Sequence, residues 1–155
     1  MPVFISYQRA DEPKAVSVKA KFDGAGVPSY LDLLDPSLVE TVTQGIIDAL
    51  RKCTHMMAIV STNTVSSWWV PFEIGVATER DSRITTYRRD SVTLPDYLKK
   101  WPVLNYDREL DDFIALYRKD KEVLEMRKSY SEAATTSIRK AADFHTQLKA
   151  RLGQR

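Results

Sequence analysis

Apolar residues alternate along this chain between short unbroken runs and stripes of helical period. Val3–Tyr7 is an apolar, β-branched and aromatic run that reads as a buried strand. Asp11 stands where it would cap a helix over about Glu12–Asp23, with Pro13 in the first turn and Gly24 and Gly26 ending it. Val27–Asp32 reads as a second strand, followed by a loop at Leu33–Ser37. From Leu38 to Lys52, Val39, Val42, Ile46, Ala49 and Leu50 follow helical spacing. His55–Ser61 is a third strand, and its continuous apolar centre suits a parallel strand covered on both faces. A polar loop, Thr62–Ser67, leads into a helix over Trp68–Asp81, with Ser67 as N-cap and Pro71 near the start. Ile84–Tyr87 predicts a fourth strand, Leu94–Lys100 a short helical turn and Pro102–Tyr106 a fifth strand. Asp107 to about Lys128 predicts a helix with Leu110, Phe113, Ile114 and Tyr117 on one face. A last helix is expected over about Ser131–Leu152, striped by Ala134, Ile138, Ala141, His145, Leu148 and Leu152.

Strands and helices alternating at this spacing argue for an α/β fold, an open parallel sheet with helices on both faces. Five strands suggest the flavodoxin-like order 2-1-3-4-5, here with an extra C-terminal helix. That order opens a crevice at the carboxyl ends of strands 1 and 3. The loops there are Gln8–Asp11 and Thr62–Ser67, so a ligand is expected near Tyr7, Ser61 and the start of the third helix. The length of 155 residues fits one domain. We divide it into a main body, 1–128, and a helical extension, 129–155, expected to pack on the same body.

Composition narrows the function more than the fold. Lys and Arg total 23 against 21 Asp and Glu, a balance that gives no reason to expect nucleic acid or an anionic membrane. The single cysteine, Cys53, excludes an internal disulfide, and the cytoplasm is the expected compartment. A strand so near the first residue leaves no place for a signal peptide. The longest apolar run, Met56–Val60, is far short of a membrane span. Neither GxGxxG nor GxxxxGK[ST] occurs, so both phosphate-cradling loops are missing. His55 and His145 are the only histidines and lie far apart in the pattern, which argues against a Ser-His-Asp triad or a histidine metal site and for structural roles. A phosphoacceptor receiver needs carboxylates at the ends of strands 1 and 3, where this chain has Ser6-Tyr7 and Val60-Ser61.

The carboxylate left near the crevice is Glu73, one helical turn after Trp69 and on the same face. An aromatic plane beside a carboxylate suits a flat cationic or nucleotide ligand. The plainer alternative is that Glu73 favours the positive end of the helix dipole, worth about 0.3–1 kcal/mol, and that Trp69 packs. Spacing alone does not separate the two.

These residues carry a family likeness. Val3-Phe4-Ile5-Ser6-Tyr7 resembles the first box of TIR (Toll/interleukin-1 receptor) domains, and Asp11 suits the polar residue that follows it. Val27–Asp32 resembles their second strand, leading to the variable BB loop at Leu33–Ser37. Ser67, Trp69 and Glu73 match the Ser-x-Trp-x-x-x-Glu pattern of the enzymatic, bacterial type, with Trp68 adding a second indole. The resemblance spans about residues 2–115. It implies NAD+ as substrate, no separate cofactor, no metal, and Glu73 as the catalytic residue. It further implies Trp69 stacking on a ring of the dinucleotide, Tyr7, Gln8 and Arg9 at the mouth of strand 1 with Arg9 on the pyrophosphate, and Ser67 either bonding the ligand or capping the helix. Leu34 in the BB loop would contact a neighbouring subunit, since such enzymes self-associate, and Asp32 would hold the loop. A stand-alone chain of this kind is similar to the signal-producing subunit of Thoeris antiphage systems. Its product would be a cyclic ADP-ribose isomer or an ADP-ribose conjugate that reaches a separate effector protein. The alternatives are a non-catalytic TIR–TIR adaptor and a simple NAD+ glycohydrolase acting by depletion.

Overall fold

The computed structural model describes residues 1–31, 39–129 and 141–155. The elements run β1 (Val3–Ser6), α1 (Glu12–Gly24), β2 (Ser29–Leu31), α2 (Val39–Lys52), β3 (His55–Val60), α3 (Trp69–Glu79), β4 (Arg83–Arg88), β5 (Val103–Leu104), α4 (Glu109–Ser129) and α5 (Ala141–Arg151). Short 3-10 turns lie at Arg9–Asp11, Thr62–Ser66 and Asp96–Lys100. All strand pairs are parallel and the order is β2-β1-β3-β4-β5, as the alternation of elements implies.

Strand alternation sorts the core into two layers. Val3 and Ile5 of β1, with Met57 and Ile59 of β3, face Ala15, Val18 and Phe22 of α1, Phe113 and Tyr117 of α4, and Phe144 and Leu148 of α5. Phe4, Met56 and Ala58 face the other way, onto Ile46 and Leu50 of α2 and Val70, Ile74 and Ala77 of α3. β3 is buried at every position, as its unbroken apolar run requires.

Several boundaries are tighter than the hydrophobic pattern suggests, and each has a local cause. β1 ends at Ser6, whose partner is Ala58, and Tyr7 already leaves the sheet. β2 begins at Ser29 because the Val27 N–H turns back to the Phe22 carbonyl at 2.9 Å, a closure made possible by Gly26 at φ +69°. Pro28 then has no N–H to give a ladder. α3 stops at Glu79: Asp81 turns to φ 53° and the Ser82 N–H returns to the Ala77 carbonyl at 3.0 Å. β5 is only two residues long, because the N–H groups of Asn105 and Tyr106 are taken by the Glu109 carboxylate at 2.6 and 3.2 Å. The edge of β5 is met by a side chain. The Gln154 carboxamide donates to the Val103 carbonyl at 2.5 Å and accepts from the Val103 N–H at 3.0 Å. The expected BB loop with Asp32 and Leu34, the residue Leu38, and the 131–140 part of the last helix, with Ala134 and Ile138, lie outside the described residues.

Both histidines are structural. His55 is fully buried at the start of β3, ringed by Phe113, Tyr117 and Phe144. Burial, then the Arg83 charge, hold its pKa well below the usual value. It is therefore neutral, and its 3.8 Å approach to Asp120 is not an ion pair. The charge partner of Asp120 is Arg83, at 2.6 Å. His145 accepts the Ile84 N–H at 2.8 Å, pinning α5 to β4. Burial lowers its pKa to about 4.

Candidate active site

The carboxyl ends of β1, β3 and β4 meet at the point where the strand order reverses. Ser6, the last residue of β1, alternates with Phe4 onto the α3 side of the sheet. There its hydroxyl donates to Oε2 of Glu73. Glu73 lies in the second turn of α3 and is completely buried, as is Ser6. Of all carboxylates, the sequence pattern singled out this one, and the fold brings it against the end of β1. The contribution of Ser6 was legible only as a place in the strand, since nothing in the spacing shows which side chain across the sheet will meet it.

Ser67 and the two indoles stand at the head of α3. Ser67 Oγ accepts the Val70 N–H at 3.4 Å, but α3 begins one residue later than expected, its N-cap is Trp68, and it has no side-chain capping bond. Trp69 is partly buried against the Phe4–Ile74 layer and meets Phe72 edge-on at 6.0 Å. Trp68 is 89% exposed. The helical turn from Trp69 to Glu73 is therefore real, but Trp69 also packs.

On the β1 side, Tyr7 is partly buried and packs toward the α1 layer. The Gln8 side-chain Oε1 accepts the Ala10 N–H at 2.6 Å and so starts the 3-10 turn. Arg9 is exposed in that turn. Leu34 lies outside the described residues.

Asp11 departs from expectation. Its side chain makes no capping bond to α1. The carboxylate is fully buried and points into the strand ends instead. It accepts Ser61 Oγ at 2.5 Å, Asn63 Nδ2 at 3.2 Å and the Arg89 guanidinium at 3.0 Å. The reason is competition. A helix N-terminus already faces solvent and Pro13 removes one donor, whereas three donors converge inside. Ser61 in turn accepts the Asn63 N–H at 3.0 Å, and its own N–H goes to Thr64 Oγ1 at 3.0 Å, which closes a capping box on the Thr62–Ser66 turn. Ser61 marks the expected ligand region, whereas Asn63 and Arg89 were not among the expected site residues. A buried donor set of this kind is a property of three strand ends together and leaves no local signal.

Among the described residues no three His, Cys, Asp or Glu side chains cluster as a metal site, and no helix is long and apolar enough to cross a membrane.

Comparison with known proteins gives the family of the chain. The family model described as TIR domain matches residues 3–118. A curated relative from Bacillus cereus (strain MSX-D12), named a probable 3' cyclic ADP-D-ribose synthase ThsB', is 30% identical over 79 residues, 47% of this chain and 41% of the relative. The match thus spans less than half of that relative's length. The TIR domain of the Toll-related receptor TRR-2 from Hydra magnipapillata shares the fold, with a TM-score of 0.62 at 16% identity over 76% of this chain and 95% of that one. The chain belongs to the TIR domain family.

Proposed function

We propose that this chain is a bacterial-type TIR enzyme that cleaves NAD+ at the nicotinamide–ribose bond, with Glu73 as its catalytic residue. The observation that carries the reading is the Glu73 carboxylate, held by Ser6 at the topological switch point one turn beyond Trp69. The name of the Bacillus cereus relative supports it.

The chemistry needs only one carboxylate. Ordinary glycosidases use two because an alkoxide leaving group must be protonated. In NAD+ the ring nitrogen is already cationic. When the C1′–N bond breaks, its electron pair neutralises the nicotinamide, which leaves without a proton. Positive charge develops on C1′ and the ring oxygen of the ribose, where a carboxylate stabilises it or holds the ribose hydroxyls. The ribosyl cation is then captured. Water gives ADP-ribose and a proton. A hydroxyl or the adenine of the same molecule gives a cyclic isomer, favoured by its high effective concentration. Because Glu73 is fully buried, NAD+ meets it only after side chains at the crevice mouth move apart.

In this reading Trp69 stacks on a ring of the dinucleotide and exposed Arg9 pairs with the pyrophosphate. Tyr7 and Gln8 line the entry, and Ser67 bonds the ligand from the head of α3. Leu34 meets a second copy. The finer assignment is a cytoplasmic antiphage signal synthase of the Thoeris kind, whose product acts on a separate effector.

The test is nicotinamide release from NAD+, with products separated by mass, for wild type beside Glu73→Gln. Glu73→Gln is expected to lose at least ~10²-fold in rate. A product one water lighter than ADP-ribose identifies a cyclase, ADP-ribose alone identifies a glycohydrolase, and a heavier adduct identifies a transferase. No nicotinamide from folded wild type, with or without infected-cell lysate, overturns the reading in favour of a TIR–TIR adaptor.

A further inference from the structure

We propose that Asp11 and Arg89 form a positioning pair that fixes the β3–α3 connection and thereby sets where α3 presents Glu73. The inference rests on the NAD+-cleaving reading and adds two residues to it.

Three facts lead to it. Asp11 is completely buried, yet it belongs to a turn and not to the sheet. Its oxygens gather donors from the ends of two other strands: Ser61 and Asn63 follow β3, and Arg89 follows β4. Ser61 and Asn63 are also the residues that shape the Thr62–Ser66 turn, which runs directly into α3. One carboxylate therefore ties β1, β3 and β4 to the segment whose far end carries Glu73. The Arg89 backbone joins the same joint, donating to the Val60 carbonyl at 2.8 Å.

A buried carboxylate needs a compensating charge, and Arg89 supplies it. Its side chain remains 42% exposed and lines an open cleft of about 390 Å³ together with Lys14 and Tyr87. Replacing Arg89 leaves no hole in the core. It removes the charge, the bond to Asp11 and a loose surface pair with Asp90 at 4.0 Å. Asp11→Asn keeps the shape of Asp11 but swaps one acceptor for a donor. The amide oxygen can still accept Asn63 and Arg89, but its Nδ2 then faces Ser61 Oγ, which must turn from donor to acceptor, and the negative charge that Arg89 answers is gone. Neither residue touches the reacting atoms. Both act through the turn, so the loss is expected in the chemical step and not in substrate affinity.

The experiment compares Asp11→Asn, Arg89→Met and Arg89→Lys with wild type, by NAD+ kinetics and by amide exchange over residues 62–69. Asp11→Asn and Arg89→Met are expected to lower kcat by roughly 10–100-fold while KM stays within about 3-fold. Exchange over 62–69 should rise by about tenfold or more in both. Arg89→Lys retains the charge and should restore most of kcat. Folded variants with wild-type exchange overturn the proposal. So does faster exchange with unchanged kcat, which would leave the pair a purely structural tie. Wild type that releases no nicotinamide sinks the enzymatic reading itself, a different result from active wild type with unaffected variants.

Discussion

Glu73 and Ser6 form a contact whose two halves are both completely buried, so its removal is felt twice. Ser6→Ala deletes the donor to a buried acceptor, and removing the partner of a buried polar group costs about 1–3 kcal/mol. Chemical unfolding should show a loss of that order, and nicotinamide release should fall with it. The histidines make a second prediction. His145 accepts the Ile84 N–H as a neutral ring and, with a pKa of about 4, binds its proton later than in the unfolded chain. Between about pH 6.5 and pH 4 the unfolded state holds more protons, so stability is complete above that window and drains as pH falls through it. His55 acts in the same direction, from deeper burial. The depressed Asp107 carboxyl titrates below this window and does not blur it. Thermal melts should drop by several degrees from pH 7 to pH 4.5. His145→Gln, which keeps an acceptor for Ile84 and cannot titrate, should flatten part of the drop. A melting temperature constant across that range refutes the assignment.

α3 shows how differently two adjacent indoles can behave. Trp69 is partly buried against Phe72 and the layer around Phe4, while Trp68 stands 89% exposed. Trp69→Ala should cost about 2–3 kcal/mol of stability from lost packing alone and also weaken NAD+ binding. Trp68→Ala should change stability by no more than about 0.5 kcal/mol. If Trp68→Ala is the variant that raises KM, the stacking residue is the outer indole. Much of this element was readable beforehand. Pro71 and the Trp69–Glu73 turn are local features, and local features survive in a sequence, whereas the N-cap falls on Trp68 and not on the expected Ser67. The ends of the elements were harder. β2 lost Val27 to the backbone closure of α1, and β5 lost Asn105 and Tyr106 to Glu109. Asp11 carries the same lesson at the site. Its neighbours Glu12 and Pro13 advertise a helix start, and only the convergence of Ser61, Asn63 and Arg89 tells that its carboxylate is spent elsewhere.

Across the whole molecule, β4 and α4 lean on the last helix. Phe144 and Leu148 are buried in the α1–α4 layer, and His145 holds the Ile84 backbone. A chain ending near Lys128 loses all three. Each large core side chain is worth about 2–5 kcal/mol, against a total of roughly 5–15 kcal/mol for a domain. Such a truncation should therefore be unfolded or molten by near-UV circular dichroism. A folded truncation that is monomeric where the full chain is dimeric would show instead that the last helix serves to join copies. Gln154 adds a constraint of another kind. By presenting one acceptor and one donor to Val103, its amide imitates the next strand of the sheet. The row of backbone groups that would otherwise template an incoming chain is already answered there. Copies of this protein can accordingly stack through helices or loops but not by lengthening the sheet past β5. A tag or truncation that displaces Gln154 should turn that silent margin into an adhesive one, visible as concentration-dependent growth of β-rich aggregates.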